Sequence, residues 1–231
     1  MEDHSLREDF KYKHDNPYHD KLAAFDDFVM RDNESEAYRG KWNSEVFKRD
    51  GELYLEIGSG AGHFMMEYCE KNPKHNFVGL DYRFKRSFQL AKKLAKVENK
   101  NFRYLRAKGE RVEFIFAENE LDGIFYFFPD PWPKTRHNKK RLIQAPFLEA
   151  AFKAIKPGGI FYIKTDHDGY AEWMEKEINA FGKFKILMQS KDLRVEYPEH
   201  LLSQYITGFE KIFISQGIKI KAFVLQSTKE G

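Results

Sequence analysis

Residues 122 to 142, DGIFYFFPDPWPKTRHNKKRL, narrow the choice of fold more than any other stretch. Ile124 to Phe128 is an apolar, aromatic run with no polar alternation, the pattern of a strand covered on both faces of a parallel sheet. A central strand in an α/β sheet is therefore expected. Pro129, Pro131 and Pro133 then recur at every second residue, and each fixes its own φ and bars its predecessor from the right-handed helical region. Phe128, Asp130 and Trp132 are predicted to be extended and rigid. A carboxylate fixed just past the C-terminal end of a central strand sits where open α/β sheets bind ligands, which makes Asp130 the first candidate catalytic residue. Lys134, Arg136, Lys139, Lys140 and Arg141 follow with no acid among them, beside Trp132 and His137 as flat partners for a base. That combination suits an RNA backbone and an unstacked base. A charge run alone is more often a solvated face; the adjacent locked Asp130 favours the nucleic-acid reading.

Upstream, Leu53 to Ile57 reads as a strand running into Gly58, Ser59, Gly60, Ala61 and Gly62, with helical spacing from His63 to Cys69. Glycines at alternate positions let the backbone approach a ligand closely, and a helix N-terminus favours oxygen-rich or anionic groups. His63 occupies the place of the third glycine in the dinucleotide fingerprint, which disfavours a nicotinamide oxidoreductase. Glu56 stands two residues before the first glycine, and Asp81 ends the next strand, Asn76 to Leu80. Carboxylates at strand ends hold ribose hydroxyls or the amine of an amino-acid ligand, and suit a cationic cofactor.

The rest of the chain continues the alternation. A helix is predicted from about Arg83 to Val97, a strand over Phe102 to Leu105, a helix over Leu142 to Ile155 ended by Pro157, Gly158 and Gly159, and a strand over Ile160 to Lys164 running into Thr165 and Asp166. Tyr170 to Phe181 reads as helix and Phe184 to Gln189 as strand. Gly208 to Ser215 and Lys219 to Gln226 read as two strands joined through Gln216 and Gly217 as a hairpin. The expected fold is a doubly wound, mostly parallel, seven-stranded Rossmann-like α/β sheet with an antiparallel C-terminal hairpin. Residues 1 to 50 lack a long periodic segment and read as a partly mobile N-terminal extension, whose aromatics cover the domain or close over a substrate; residues 51 to 231 read as one domain.

Charge is distributed unevenly. The net +3 conceals −4 over residues 1 to 50 and +8 between Asp81 and Arg111, where 11 basic residues face 3 acids. A polyanion partner fits that asymmetry. Cys69 is the single cysteine, so neither an internal disulfide nor a thiolate zinc site is expected, and no metal site is assigned. A reducing, cytoplasmic setting suits this. No apolar run approaches the length of a membrane helix.

FPDPWPKTRHNKKRL, LEIGSGAGHF, FVGLD, the KTD ending at Asp166 and TGFEKIF at Thr207 to Phe213 together resemble the bacterial tRNA (guanine-N7-)-methyltransferases, over roughly residues 50 to 220. The resemblance implies a class I methyltransferase fold, S-adenosylmethionine as methyl donor and a guanosine in the tRNA variable loop as target. It further implies that Glu56 and Asp81 bind the cofactor, that Asp130 is the catalytic acidic residue, and that Lys134, Asp166, Thr207, Gly208, Phe209 and Glu210 meet the substrate; the glycine turn adds Gly58, Gly60 and Gly62 to the cofactor residues, and the basic run adds Arg136 and His137 to those of the substrate. No obligatory protein partner is evident. The sequence departs from the family where Asn or Asp followed by Ala stands near the adenine: here the matching residues are Lys108 and Gly109, with Glu110 next and near enough to take that role.

The chemistry agrees without the family. Nitrogen 7 of guanine carries a free lone pair, so no proton has to be removed from it. Positive charge passes to the purine ring, and a fixed carboxylate either stabilises that charge or orients the base. Two other readings stand beside this one: a methyltransferase acting on another nucleic acid, and an RNA-binding module on a methyltransferase-like scaffold.

Overall fold

The computed structural model describes residues 4–12 and 16–230. Its strands are β1 (Val29–Arg31), β2 (Leu53–Ile57), β3 (Asn76–Asp81), β4 (Phe102–Arg106), β5 (Leu121–Phe127), β6 (Ile155–Thr165), β7 (Phe184–Ser190) and β8 (Lys221–Ser227). They form one sheet in the order β1-β4-β3-β2-β5-β6-β8-β7. Pairing is parallel from β1 to β6, and β8 runs antiparallel to both β6 and β7.

The α-helices among the described residues are α1 (Pro17–Leu22), α2 (His63–Lys71), α3 (Phe84–Leu94), α4 (Val112–Ile115), α5 (Ala145–Ala154), α6 (Asp168–Phe181), α7 (Leu193–Glu196), α8 (Leu201–Gln204) and α9 (Gly208–Ser215). They cover the sheet on both faces, and β5 shows why its sequence lacks alternation. Ile124 and Tyr126 point into one apolar cluster, with Leu55, Val78 and Ile163. Phe125 and Phe127 point into the other, with Phe64, Tyr68 and Phe77. Phe125 is fully buried, its ring stacked on Tyr162 at 4.9 Å and met by the edge of Phe64 at 4.7 Å.

Two expectations are corrected. The sheet has eight strands, because Val29–Arg31 pairs with β4 at the edge, Val29 against Tyr104; three residues are too few to show a periodicity. Gly208 to Ser215 is helix α9, so no hairpin turns at Gln216 and Gly217; the antiparallel end of the sheet is formed by β7 and β8, which the segment containing α7, α8 and α9 connects. The Phe and Ile content of GFEKIFIS favours strand, but Thr207 accepts the Glu210 N–H at 3.1 Å on its hydroxyl. A Thr-x-x-Glu start of this kind marks a helix N-terminus.

The described N-terminal residues pack on the sheet. Tyr12, Leu22, Phe28 and Trp42 are buried, and Tyr18 lies against Phe88 of α3 at 5.4 Å. The aromatics thus cover the sheet domain.

Candidate active site

The sheet order places the site. From β2 the chain moves outward to β3 and β4, then returns with β5 on the other side of β2, and the crevice at such a switch point is where doubly wound sheets bind ligands. Ile57 of β2 is in register with Tyr126 of β5, so the glycine turn that follows β2 and the proline turn that follows β5 emerge side by side. They open on a cavity of about 1040 Å³.

Gly58, Gly60 and Gly62 all adopt positive φ, at 83°, 53° and 74°, a region that side chains other than glycine enter at a cost. Around Gly58 a β-carbon would meet nothing within 4 Å, so the backbone there is bare toward the cavity, whereas at Gly62 it would lie 2.2 Å from Leu90 Cδ1. Gly58 thus serves approach, and Gly62 serves the packing of α2 on α3. Asp81 ties the turn down: Oδ2 accepts the Gly60 N–H at 3.0 Å and Oδ1 the Arg83 N–H at 2.9 Å. Glu56 lies behind the turn, 4% exposed, and its Oε2 has no hydrogen-bond partner. A buried carboxylate oxygen without a partner is costly unless a cationic or N–H-bearing ligand meets it.

On the next wall stand Ala107, Lys108, Gly109 and Glu110. The Lys108 N–H donates to the Tyr12 hydroxyl at 2.9 Å, and its ammonium lies over the rings of Phe10 (5.1 Å) and Tyr82 (5.5 Å). The family-divergent loop is therefore held by N-terminal aromatics. Gly109 is tightly packed, because a β-carbon would lie 3.0 Å from both Ile57 and Leu142.

Asp130 is at the cavity edge, as expected, but the turn that carries it is not uniformly extended. Phe128 and Trp132 have φ of 51° and 45°. The proline rule removes the right-handed helical region, and both residues fall in the left-handed one, at roughly 1–2 kcal/mol each. The Phe128 N–H donates to the Lys164 carbonyl at 2.8 Å. Arg141 Nε donates to the Pro131 carbonyl at 2.9 Å while its guanidinium lies 5.1 Å from the rings of Tyr170 and Trp173. Arg141 is 7% exposed, so it is a brace for the turn and not a free member of the basic run. The Asp130 carboxylate pairs with Arg83 at 3.0 Å, with the two side chains 62% and 54% exposed. A pair so open to water is worth at most about 1 kcal/mol and sets orientation more than stability.

The candidate substrate residues divide. Thr207, Gly208 and Phe209 line the cavity, as do Lys139 and Lys140; Lys140 stands over the Trp132 ring at 4.4 Å. Lys134 and Arg136 are exposed outside the lining, and His137 meets Trp132 edge-on at 5.7 Å. Asp166 is also outside it, its carbonyl accepting from Lys221 at 3.0 Å. Glu210 is fully buried and pairs with Lys164 at 2.5 Å. It faces the interior under α9, away from the cavity, because Lys164 at the end of β6 needs a counter-charge there.

The chain resembles known proteins in sequence and in fold. A family model described as "Putative methyltransferase" matches residues 50–223. A tRNA (guanine-N(7)-)-methyltransferase of Bdellovibrio bacteriovorus is 33% identical over 190 residues, 81% of this chain and 90% of that protein. Its counterpart in Enterococcus faecalis is 32% identical over 199 residues, covering 86% and 90%. The chain belongs to the tRNA (guanine-N7-)-methyltransferase family. A bifunctional glycosyltransferase/methyltransferase of Fusobacterium nucleatum is 34% identical across 86% of this chain, but the match spans only 30% of that longer protein. Among solved structures, the 16S rRNA methyltransferase KamB superposes with a TM-score of 0.60 at 16% identity, covering 80% of this chain and 93% of its own. That likeness is one of fold: a Rossmann-like methyltransferase sheet.

Within this member of the family, sequence reading missed Arg83 and Arg86, which also line the cavity. Their signal was position: both follow Asp81 within five residues, at the N-terminal end of α3. Among the described residues no cluster of three or more His, Cys, Asp or Glu could hold a metal.

Burial raises the Glu56 carboxyl to about 8, with the Asp81 charge adding to the rise, while Ser59 and Lys164 pull it down. The folded state therefore keeps a proton that the unfolded chain releases near 4.5, so stability contributed at this position is present below that value and falls as pH rises toward 8. Glu56→Gln is expected to remove this decline. Urea unfolding at pH 5.5, 6.5 and 7.5 checks it: the wild type should lose stability across the series more steeply than the variant, and equal slopes would count against a protonated Glu56.

Proposed function

We propose that the protein transfers a methyl group from S-adenosylmethionine to nitrogen 7 of a guanosine in the variable loop of tRNA. One observation carries the reading: a fixed carboxylate, Asp130, stands beside a glycine turn at the switch point, and its hydrogen-bond partner among the described residues is Arg83, which cannot accept a proton. Such a site suits a nucleophile with a ready lone pair, and serves less well an exocyclic amine or a ribose hydroxyl, which must lose one.

The residues present fit the donor. Glu56, with its buried partnerless oxygen, would hold the amine, Asp81 the ribose, and the bare backbone of Gly58 would allow close approach; Lys108 and Glu110, on the next wall, would meet the adenine. S-adenosylmethionine supplies an electrophilic methyl group on a sulfonium. Asp130 stabilises the positive charge that develops on the purine: at about 4 Å and an effective dielectric near 20 such an interaction is worth roughly 4 kcal/mol before desolvation. Trp132, with Lys140 above it, and Phe209 offer stacking surfaces to a base that has left its own stack. Thr207 and Gly208 line the cavity wall beside Phe209. Lys134, Arg136 and His137 are left to the RNA outside the cavity, and Asp166 and Glu210 to support. A reducing, cytoplasmic setting suits buried Cys69, and no helix among the described residues is long and apolar enough to cross a membrane.

Incubation of bulk tRNA with labelled donor, followed by nucleoside analysis, tests the reading; label should appear in 7-methylguanosine, and label in another nucleoside would contradict it. Asp81→Ala should weaken donor binding at least about tenfold, since it removes a carboxylate from the site and a charge-assisted bond from the glycine turn, while tRNA affinity stays near wild type. Calorimetry showing unchanged donor affinity would remove Asp81 from the site.

A further inference from the structure

Helix α3 buries Ser87, Leu90, Ala91 and Leu94 against the sheet and turns Lys85, Lys92 and Lys93 outward, with Lys96 exposed just past its end. From Tyr82 to Val97 there are six basic residues and no acid. Lys85 and Lys92, seven residues apart, lie on one line of the helix, and Lys96 follows just past its end. Several lysines elsewhere on the surface are matched: Lys41 with Glu45, Lys71 with Glu67, Lys156 with Asp122, Lys183 with Glu149. Lys85, Lys92 and Lys96 pair with no carboxylate among the described residues, so the stripe carries positive charge that nothing on α3 offsets.

The stripe is continuous with the cavity. Arg83 and Arg86, at the start of α3, line it, and Arg86 reaches over Phe209 at 5.9 Å. Cations thus run outward from the cavity along α3, on the β3 side of the switch point, while Lys139 and Lys140 follow β5. From Lys85 to Lys93 the path along α3 is about 12 Å at the α-helical rise, and Lys96 extends it past the helix end, enough to face more than one phosphate of a strand. Lysine, a flexible point charge, suits a backbone better than a base edge.

We propose that this face of α3 is a second tRNA-binding surface, which takes phosphates flanking the target nucleotide and is distinct from the Lys139–Lys140 side. The inference rests on the tRNA reading above. A nucleotide seated in the cavity belongs to a longer chain, and its neighbouring phosphates leave along one flank or the other; α3 is a flank with unmatched positive charge.

The test is equilibrium binding of unmodified tRNA across a salt series by wild type, by Lys85→Gln/Lys92→Gln/Lys96→Gln, and by a control that neutralises the matched lysines, Lys71→Gln/Lys156→Gln/Lys183→Gln. The α3 variant should bind about tenfold or more weakly at 0.1 M salt, with the log-log salt slope reduced by about 0.7–0.9 for each phosphate that is no longer neutralised. The control should keep the wild-type slope, and donor affinity and the methylation rate at saturating tRNA should be unchanged in both. An α3 variant with the wild-type slope overturns this surface alone. Wild type that binds no tRNA overturns the tRNA reading and the surface together.

Discussion

Asp130→Ala is expected to lower the rate of methyl transfer at saturating substrates by about 10²- to 10³-fold, the range seen when one group aimed at developing charge is removed. Binding of the donor and of tRNA should change little. The carboxylate is mostly exposed and its pairing with Arg83 is screened by water, so its removal costs the fold little. The turn that presents it is braced by Arg141 through the Pro131 carbonyl and by the Phe128 N–H on Lys164, neither of which involves the Asp130 side chain. Asp130→Asn separates its two possible services. The amide keeps the shape and can still bond the base but carries no charge, so stabilisation of positive charge predicts a loss close to that of alanine. Single-turnover kinetics at saturating tRNA measure the difference; an Asn variant retaining most of the rate would assign Asp130 to orientation.

Lys164→Met is expected to destabilise the fold by about 3–5 kcal/mol, the usual cost of stripping one partner from a buried ion pair. Lys164 and Glu210 are both fully buried, and Lys164 also donates to the carbonyls of Leu202 and Tyr205, at 3.1 and 2.8 Å. One ammonium at the end of β6 thus pins α8, the following turn and α9, which carries Phe209 at the cavity wall. After the substitution Glu210 would keep only Arg194, at 3.9 Å from Oε1. Lys164→Met/Glu210→Met should recover much of the loss, because an apolar pair leaves no buried charge behind. Urea unfolding of the two variants measures this; a double variant no more stable than the single one would show that the carbonyl bonds, and not the charge, hold the segment.

These two residues mark what the sequence made legible. Asp130 was readable because local rules converge on it: a strand without alternation, prolines on both sides and a cationic run after it. Its neighbours' φ values were not, since proline forbids one region of its predecessor without choosing between the others. The glycine turn, Glu56 and Asp81 were readable for the same local reason. Glu210 was not: its burial depends on Lys164, 46 residues earlier, and no periodicity encodes a pairing across that separation. Arg141 was counted with its basic neighbours because the aromatic rings that bury it, Tyr170 and Trp173, come from α6. Strand β1 is three residues long and gains its identity from β4, far along the chain.

Nitrogen 7 of guanine is the proposed point of attack. This is tested most directly with tRNA that carries 7-deazaguanosine at the target position, where carbon replaces that nitrogen and the hydrogen-bonding pattern of the pairing edge is kept. This tRNA should bind about as well as ordinary tRNA and accept no labelled methyl, whereas undiminished methylation of it would show that another atom is attacked.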